Sequence, residues 1–383
     1  MSRGAAKRKP KNVAIAVAAL LALCAAGVIG LAGSPKPVLR NARVFCEVPA
    51  WRGQQLPPTY NHYYWITNNE ALVADGRNPT GFIRVGLDPS GRAEPPKPLP
   101  FAVTADNDLL SVSPDGRSVA YIQSVSRTPG VITQYLVARS LDGRKVVKWV
   151  YDGRGDLGAF VWTPDSSSLV ALQCRPEACL RRFDLRSGRL EKIALPPELR
   201  LAYRENATLL GFTWRGALLA ALGGAAFQNR RFFDDLSPGY GAYSANYPRM
   251  PLIELSLDGI PHAVRAFSPS LPEGAGVGFV ELSPTGDRLF WGALCAKVPS
   301  PLEVRLHRYL AFVPGDPAVV ERGWVSQLDG SGMKELGFYE IPSGNPGPGN
   351  PAGPPWLIDP KWTPDGRRIG LVHGDRLLTI PAD

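Results

Sequence analysis

A single motif recurs along the chain and limits what it can fold into. It reads LLSVSPDGRSVAYI from Leu109, AFVWTPDSSSLVAL from Ala159, GFVELSPTGDRLFW from Gly278 and DPKWTPDGRRIGLV from Asp359. Each copy is an apolar strand, a Ser/Thr-Pro turn and a second strand. Proline suits the second position of a type I turn, an Asp or Thr follows, and glycine accepts the left-handed conformation that closes a hairpin. The flanking alternation is that of half-buried strands. Two weaker copies, YYWITNNEALVA and LLGFTWRGALLAAL, place Asn68 and Trp214 where the proline stands.

The markers at 68, 114, 164, 214, 284 and 364 are spaced by 46, 50, 50, 70 and 80 residues. A period near 50 with late insertions is that of propeller blades. A second marker, Leu-Asp or Asp-Leu with a glycine, follows each of the first five hairpins, at Leu87-Asp88, Leu141-Asp142, Asp184-Leu185, Leu257-Asp258 and Leu328-Asp329. These predict the turns between third and fourth strands. The sixth copy runs out of chain after DRLLTIPAD, and PVLRNARVFCEV near the other end supplies its missing strand. Such closure removes an open sheet edge. Gly 40 and Pro 38 of 383 residues, roughly a fifth against a usual ~12%, agree with a turn-rich all-β fold.

The expected fold is a six-bladed β-propeller of four-stranded antiparallel blades over 34–383. The blades lie near 60–100, 101–153, 154–200, 201–270, 271–343 and 355–383 with 38–48. The SPDG and WTPDG hairpins resemble the repeats of TolB-like propellers, over roughly residues 38–383. That resemblance implies the fold and is nearly silent on activity, since propellers host many. The α/β domain that precedes the propeller in TolB has no counterpart here.

Residues 1–12 form a basic tail in which Arg3, Lys7, Arg8, Lys9 and Lys11 supply five of the net +9 charges. With the excess gathered there, overall charge does not indicate nucleic-acid binding. Val13–Gly33 is uninterrupted Ala, Val, Ile, Leu, Gly and Cys. That length crosses a bilayer as a helix, and the positive flank keeps the tail cytoplasmic. The expectation is a single-pass anchor in a bacterial inner membrane, with the propeller in the periplasm. The alternative is a signal peptide cut near Gly30-Leu31-Ala32.

Outside the apolar segment, Cys46, Cys174, Cys179 and Cys295 permit two disulfides in an oxidising compartment. Cys174 and Cys179 bracket a short hairpin and are expected to be bridged, which leaves Cys46 and Cys295 as the remaining pair. If 38–48 is one outer strand of blade 6, the chain enters at the SPDG face. That face would then lie nearest the bilayer.

The long connections fall on the opposite face. The blade 4 insertion carries Phe227, Arg230, Arg231, Phe232, Phe233, Tyr240, Tyr243 and Tyr247. The blade 5 insertion predicts a short amphipathic helix from Ser300 with Arg305 and Arg308 on its polar side, and the Pro/Gly-rich run before blade 6 ends at Trp356. Aromatic residues beside arginine are the composition of interface hot spots, although rings also cover cores. His62, His262, His307 and His373 are scattered, no G-x-S-x-G elbow occurs, and no cofactor or metal is expected. The reading is a non-enzymatic scaffold for a protein or peptide partner. The alternatives are an enzyme or small-ligand binder using the central funnel, and a structural subunit of a membrane complex.

Overall fold

A computed structural model describes residues 38–39, 41–48, 63–75, 81–103, 110–128, 131–151, 157–173, 179–195, 208–221, 251–258, 260–271, 275–296, 319–341, 357–373 and 375–383. Val38–Asp383 is one compact unit. The tail and apolar segment of residues 1–33 lie outside the described residues. Among those described, no helix is long and apolar enough to cross a membrane.

The strands are β1 (Val38–Leu39), β2 (Arg43–Glu47), β3 (Tyr63–Thr67), β4 (Glu70–Ala74), β5 (Phe82–Gly86), β6 (Lys97–Pro98), β7 (Leu110–Val112), β8 (Ser118–Thr128), β9 (Val131–Ser140) and β10 (Val146–Tyr151). They continue as β11 (Leu157–Trp162), β12 (Ser168–Gln173), β13 (Cys179–Asp184), β14 (Leu190–Ala194), β15 (Thr208–Phe212), β16 (Leu218–Ala221), β17 (Leu252–Ser256) and β18 (His262–Phe267). The last are β19 (Ala275–Leu282), β20 (Arg288–Ala296), β21 (Val319–Gln327), β22 (Lys334–Ile341), β23 (Leu357–Trp362), β24 (Arg368–His373) and β25 (Arg376–Pro381). They form six antiparallel sheets. β3–β6, β7–β10, β11–β14 and β15–β18 are blades 1 to 4. β19–β22 with β1 is blade 5, and β23–β25 with β2 is blade 6.

The ring closes as the truncated sixth repeat required. β2 pairs with β25 through Arg43↔Thr379 and Val44↔Leu378, and Val48 N–H donates to Asp375 O at 2.7 Å. One part of that expectation is corrected, because 38–48 is two strands. Val38 and Leu39 pair with Phe338 and Gly337 as a fifth strand on blade 5. Asn41, at φ 58°, then reverses the chain into β2. Asparagine tolerates this left-handed conformation better than most residues. The backbone at Val38 therefore runs toward the SPDG turns rather than away from them. Val38 thus does not start at the SPDG face, as a single outer strand of blade 6 would have required.

Burial follows the blade junctions. Six apolar clusters of described residues each straddle two neighbouring blades. Between blades 4 and 5, Leu219 and Leu252 meet Val280, Leu289 and the fully buried Trp291. Middle strands are covered on both sides, which is why LLAA in β16 is buried at every position.

Cys46 lies in the cluster between blades 6 and 1 as a free, buried thiol. Burial pushes it up to about 12, so it stays protonated at neutral pH. The side chain of Cys295, its expected partner, lies outside the described residues. Cys295 belongs to β20, the fourth of five strands counted from the outer edge of blade 5. Cys179 is buried at the start of β13, and Cys174 lies outside the described residues.

Candidate functional site

Each blade presents two turns on one face, an inner turn between its first and second strands and an outer turn between its third and fourth. Short backbone bonds tie them together, from Leu141 N–H to Arg117 O at 2.8 Å and from Leu185 N–H to Ser167 O at 3.0 Å.

The inner turns are built on one circuit. In blade 3, Thr163 Oγ1 donates to Asp165 Oδ1 at 2.6 Å and accepts from Ser168 N–H at 3.0 Å. Asp165 also accepts from Ser167 N–H at 3.1 Å. The Thr163 hydroxyl, then Ser167, hold the Asp165 carboxyl below the usual range. The same bonds recur at Ser113–Asp115 and Thr363–Asp365. In blade 5, burial acts to raise Asp287, but hydroxyls of Thr285 and Ser283 outweigh it and the carboxyl is lowered.

These turns also join blade to blade. Asp115 N–H of blade 2 donates to Ser166 Oγ of blade 3 at 3.1 Å. Trp214 N–H of blade 4 donates to Gly286 O of blade 5 at 3.0 Å. Asp365 N–H of blade 6 donates to Asn68 Oδ1 of blade 1 at 3.0 Å, across the closure. Gly116 sits so close to blade 1 that a Cβ there would be 2.6 Å from Ile66 O. The sixth blade is further bound to the fifth by Arg288, which lies over the Trp362 ring at 5.3 Å and reaches Asp383 Oδ1 at 3.2 Å.

Blade 4 breaks the pattern. Trp214 replaces the proline and is 63% exposed. Arg215 stands where blades 2, 3 and 6 have Asp, and its guanidinium lies 4.8 Å from the Trp214 ring centre. Thr213, buried to 2% exposure, has a hydroxyl without a hydrogen-bond partner among the described residues. The turn is also one residue shorter, closing by Thr213 N–H to Ala217 O at 2.8 Å. On β17, the Glu254 carboxylate is buried with both oxygens lacking a described partner, opposite Arg265. The alignment of Trp214 with the proline marker held the first of these signals. Nothing in LIELSL marked Glu254.

The opposite face receives the connections from Ala221 to Leu252, from Ala296 to Val319 and from Ile341 to Leu357, in blades 4, 5 and 6. Phe227, Arg230, Arg231, Phe232, Phe233, Tyr240, Tyr243, Tyr247, Arg305, Arg308 and Trp356 lie outside the described residues, as does the helix expected from Ser300. His62 and His307 do too. His262 is exposed on the outer strand of blade 4, its Nδ1 3.1 Å from Ile260 O. Among the described residues no three His, Cys, Asp or Glu come together as metal ligands. Beside the first strands of blades 6 and 1, Lys361 Nζ donates to Tyr63 O at 3.0 Å and lies 4.4 Å from the Tyr64 ring centre.

No family model matches the chain, and no curated protein matches it. Among solved structures it is similar to TolB from Acinetobacter baumannii, at 11% identity and TM-score 0.38, over 79% of this chain and 60% of that one. The chain thus spans less than two thirds of the TolB chain's length. It is also similar to an oligogalacturonate lyase in complex with manganese (14% identity, TM-score 0.41, 90% and 97% covered). A third likeness is to Kuenenia stuttgartiensis hydrazine synthase (10%, 0.42, 83% and 76%). The fold rests on the six sheets themselves, which make the chain a six-bladed β-propeller.

Proposed function

We propose that the chain is a membrane-tethered, non-enzymatic propeller that binds a protein or peptide through the face opposite its turns. One observation carries the reading. The two longest connections between described strands, within blades 4 and 5, and the connection from blade 5 into blade 6 all open at that single face. Short tied turns fill the other face. Binding residues concentrate on loops held by a rigid scaffold, and the blade 4 connection contains Arg230, Arg231, Phe232 and Phe233. The tether is supported by the apolar run Val13–Gly33 behind its basic flank.

Crosslinking in intact membranes, followed by purification, tests the binding face. A partner recovered with the unaltered chain should be lost when Arg230, Arg231, Phe232 and Phe233 are all replaced by alanine. Undiminished recovery would contradict it. Carbonate extraction with N-terminal sequencing tests the tether, and a soluble product beginning near Gly33 would overturn it.

A further inference from the structure

We propose that the turn face of blade 4, around Trp214 and Arg215, is a second docking site, for a protein segment that sets one or two carboxylates beside an apolar residue. It lies on the face opposite the long connections and does not depend on their role.

Exposed apolar surface gathers on this blade. Seven large hydrophobic residues are exposed among the described ones, and three belong to blade 4: Trp214 at 63%, Ile260 at 87% and Val264 at 55%. Trp214 lies in the inner turn and Ile260 in the outer turn of the same face, and Val264 follows on the outer strand. Inner and outer turns of a blade are two strand spacings apart, about 10 Å, which three or four extended residues span.

The departure from the repeat gains one backbone bond, from Trp214 N–H to Gly286 O of blade 5, which a proline could not make. Pro114, Pro164, Pro284 and Pro364 occupy the position of Trp214 in other blades. A carboxylate at the position of Arg215 would accept from the Thr213 hydroxyl, as Asp165 accepts from Thr163. Arginine leaves that buried hydroxyl unpaired. The bond to Gly286 needs only a backbone N–H, so it does not account for an exposed indole beside an unpaired hydroxyl, and a local rule broken in this way points to function.

The chemistry of the occupant follows from the charge. Arg215 is exposed and makes no ion pair among the described residues, with its guanidinium close to an exposed ring. A guanidinium fork recognises a carboxylate, and the indole takes an apolar neighbour. Exposed Asp258 in the outer turn limits the attraction to the Arg215 side. One or two acids therefore suit the site better than a polyacidic run.

Random dodecapeptides displayed on phage, panned on the full chain and counter-selected on Trp214→Ala and Arg215→Asp variants, test this. Surviving peptides should carry Asp or Glu within three residues of an aromatic or aliphatic anchor. Synthetic copies should bind at least tenfold more weakly to either variant, while Arg215→Asp melts no lower than the unaltered chain. The proposal is overturned if no peptide survives counter-selection, if survivors lack acids, or if affinity ignores both substitutions. Sedimentation showing self-association abolished by Arg215→Asp would assign the patch to a second copy of the chain instead.

Discussion

The inner and outer turns use nearly the same chemistry in very different surroundings. Outer turns also close on a carboxylate that gathers amides and a hydroxyl. Asp184 accepts from Ser187 N–H at 2.6 Å and from Ser187 Oγ at 2.7 Å, and its carboxyl is held low by the Ser187 amide and then its hydroxyl. Around Gly91 and Gly188, however, a Cβ would meet nothing within 4 Å. At Gly286 it would lie 2.4 Å from Trp214 N and 2.6 Å from Phe212 O of the neighbouring blade. Local turn chemistry thus makes every hairpin, but the inner turns also join blades into a ring. Outer turns meet a neighbour through fewer contacts, as at Gly330, whose Cβ would be 2.8 Å from Pro269 Cβ, and at Gly188, whose carbonyl accepts from Trp149 Nε1 of blade 2 at 3.0 Å.

The sharpest way to break this contrast is a methyl group. Gly286→Ala adds left-handed strain at φ 72° to a collision with backbone that cannot move alone. Together these should destabilise by roughly 3–5 kcal/mol. Gly188→Ala, at φ 69° in open space, should cost only about 1 kcal/mol of strain. Denaturant unfolding of the two variants measures both, and equal losses would erase the distinction.

Acid tests the chemistry the two sets share. Asp88, Asp142, Asp184 and Asp329 in outer turns, with Asp165 and Asp287 in inner ones, are all lowered. A lowered carboxyl stabilises the fold fully above its unfolded value of about 3.9 and loses that contribution as pH falls through the folded value. Stability should therefore be level in these groups' contribution above about pH 5 and decline below about pH 4. Asp165→Asn should flatten part of that decline, as read by melting temperature against pH.

Arg215→Asp restores the missing acceptor for Thr213 and should stabilise by about 1 kcal/mol. A stability loss would mean that the shorter blade 4 turn cannot hold the circuit. Ser166→Gly is the finest probe. It relieves the left-handed φ of 59° but removes the acceptor for Asp115 N–H, so the two effects should nearly cancel, within about 1 kcal/mol.

Much of this architecture was legible because the determining signals are local. A Ser/Thr two residues before an Asp, with Gly next, makes its hairpin wherever it stands, and Ser113–Ser118 and Thr363–Arg368 formed as read. The closing strand was legible because the sixth repeat lacked one. β1 was not, since two residues carry no periodicity and the reversal depends on Asn41 alone. Glu254 was not either. In LIELS alternation offers it the face of Leu252, and in a blade that face meets the next blade rather than water. The exposure of Trp214 was hidden because an apolar residue inside a weak repeat copy reads as core.

Residue-resolved hydrogen exchange tests the ring of inner turns most directly. The amides of Asp115, Trp214 and Asp365, each given to a neighbouring blade, should exchange only with global unfolding. The amides of Gly91 and Gly188, bonded within exposed outer turns to Asp88 O and Asp184 O, should exchange through local opening many times faster. Equal protection of the two sets, or faster exchange at the inner turns, would contradict the claim that these turns bind the six blades together.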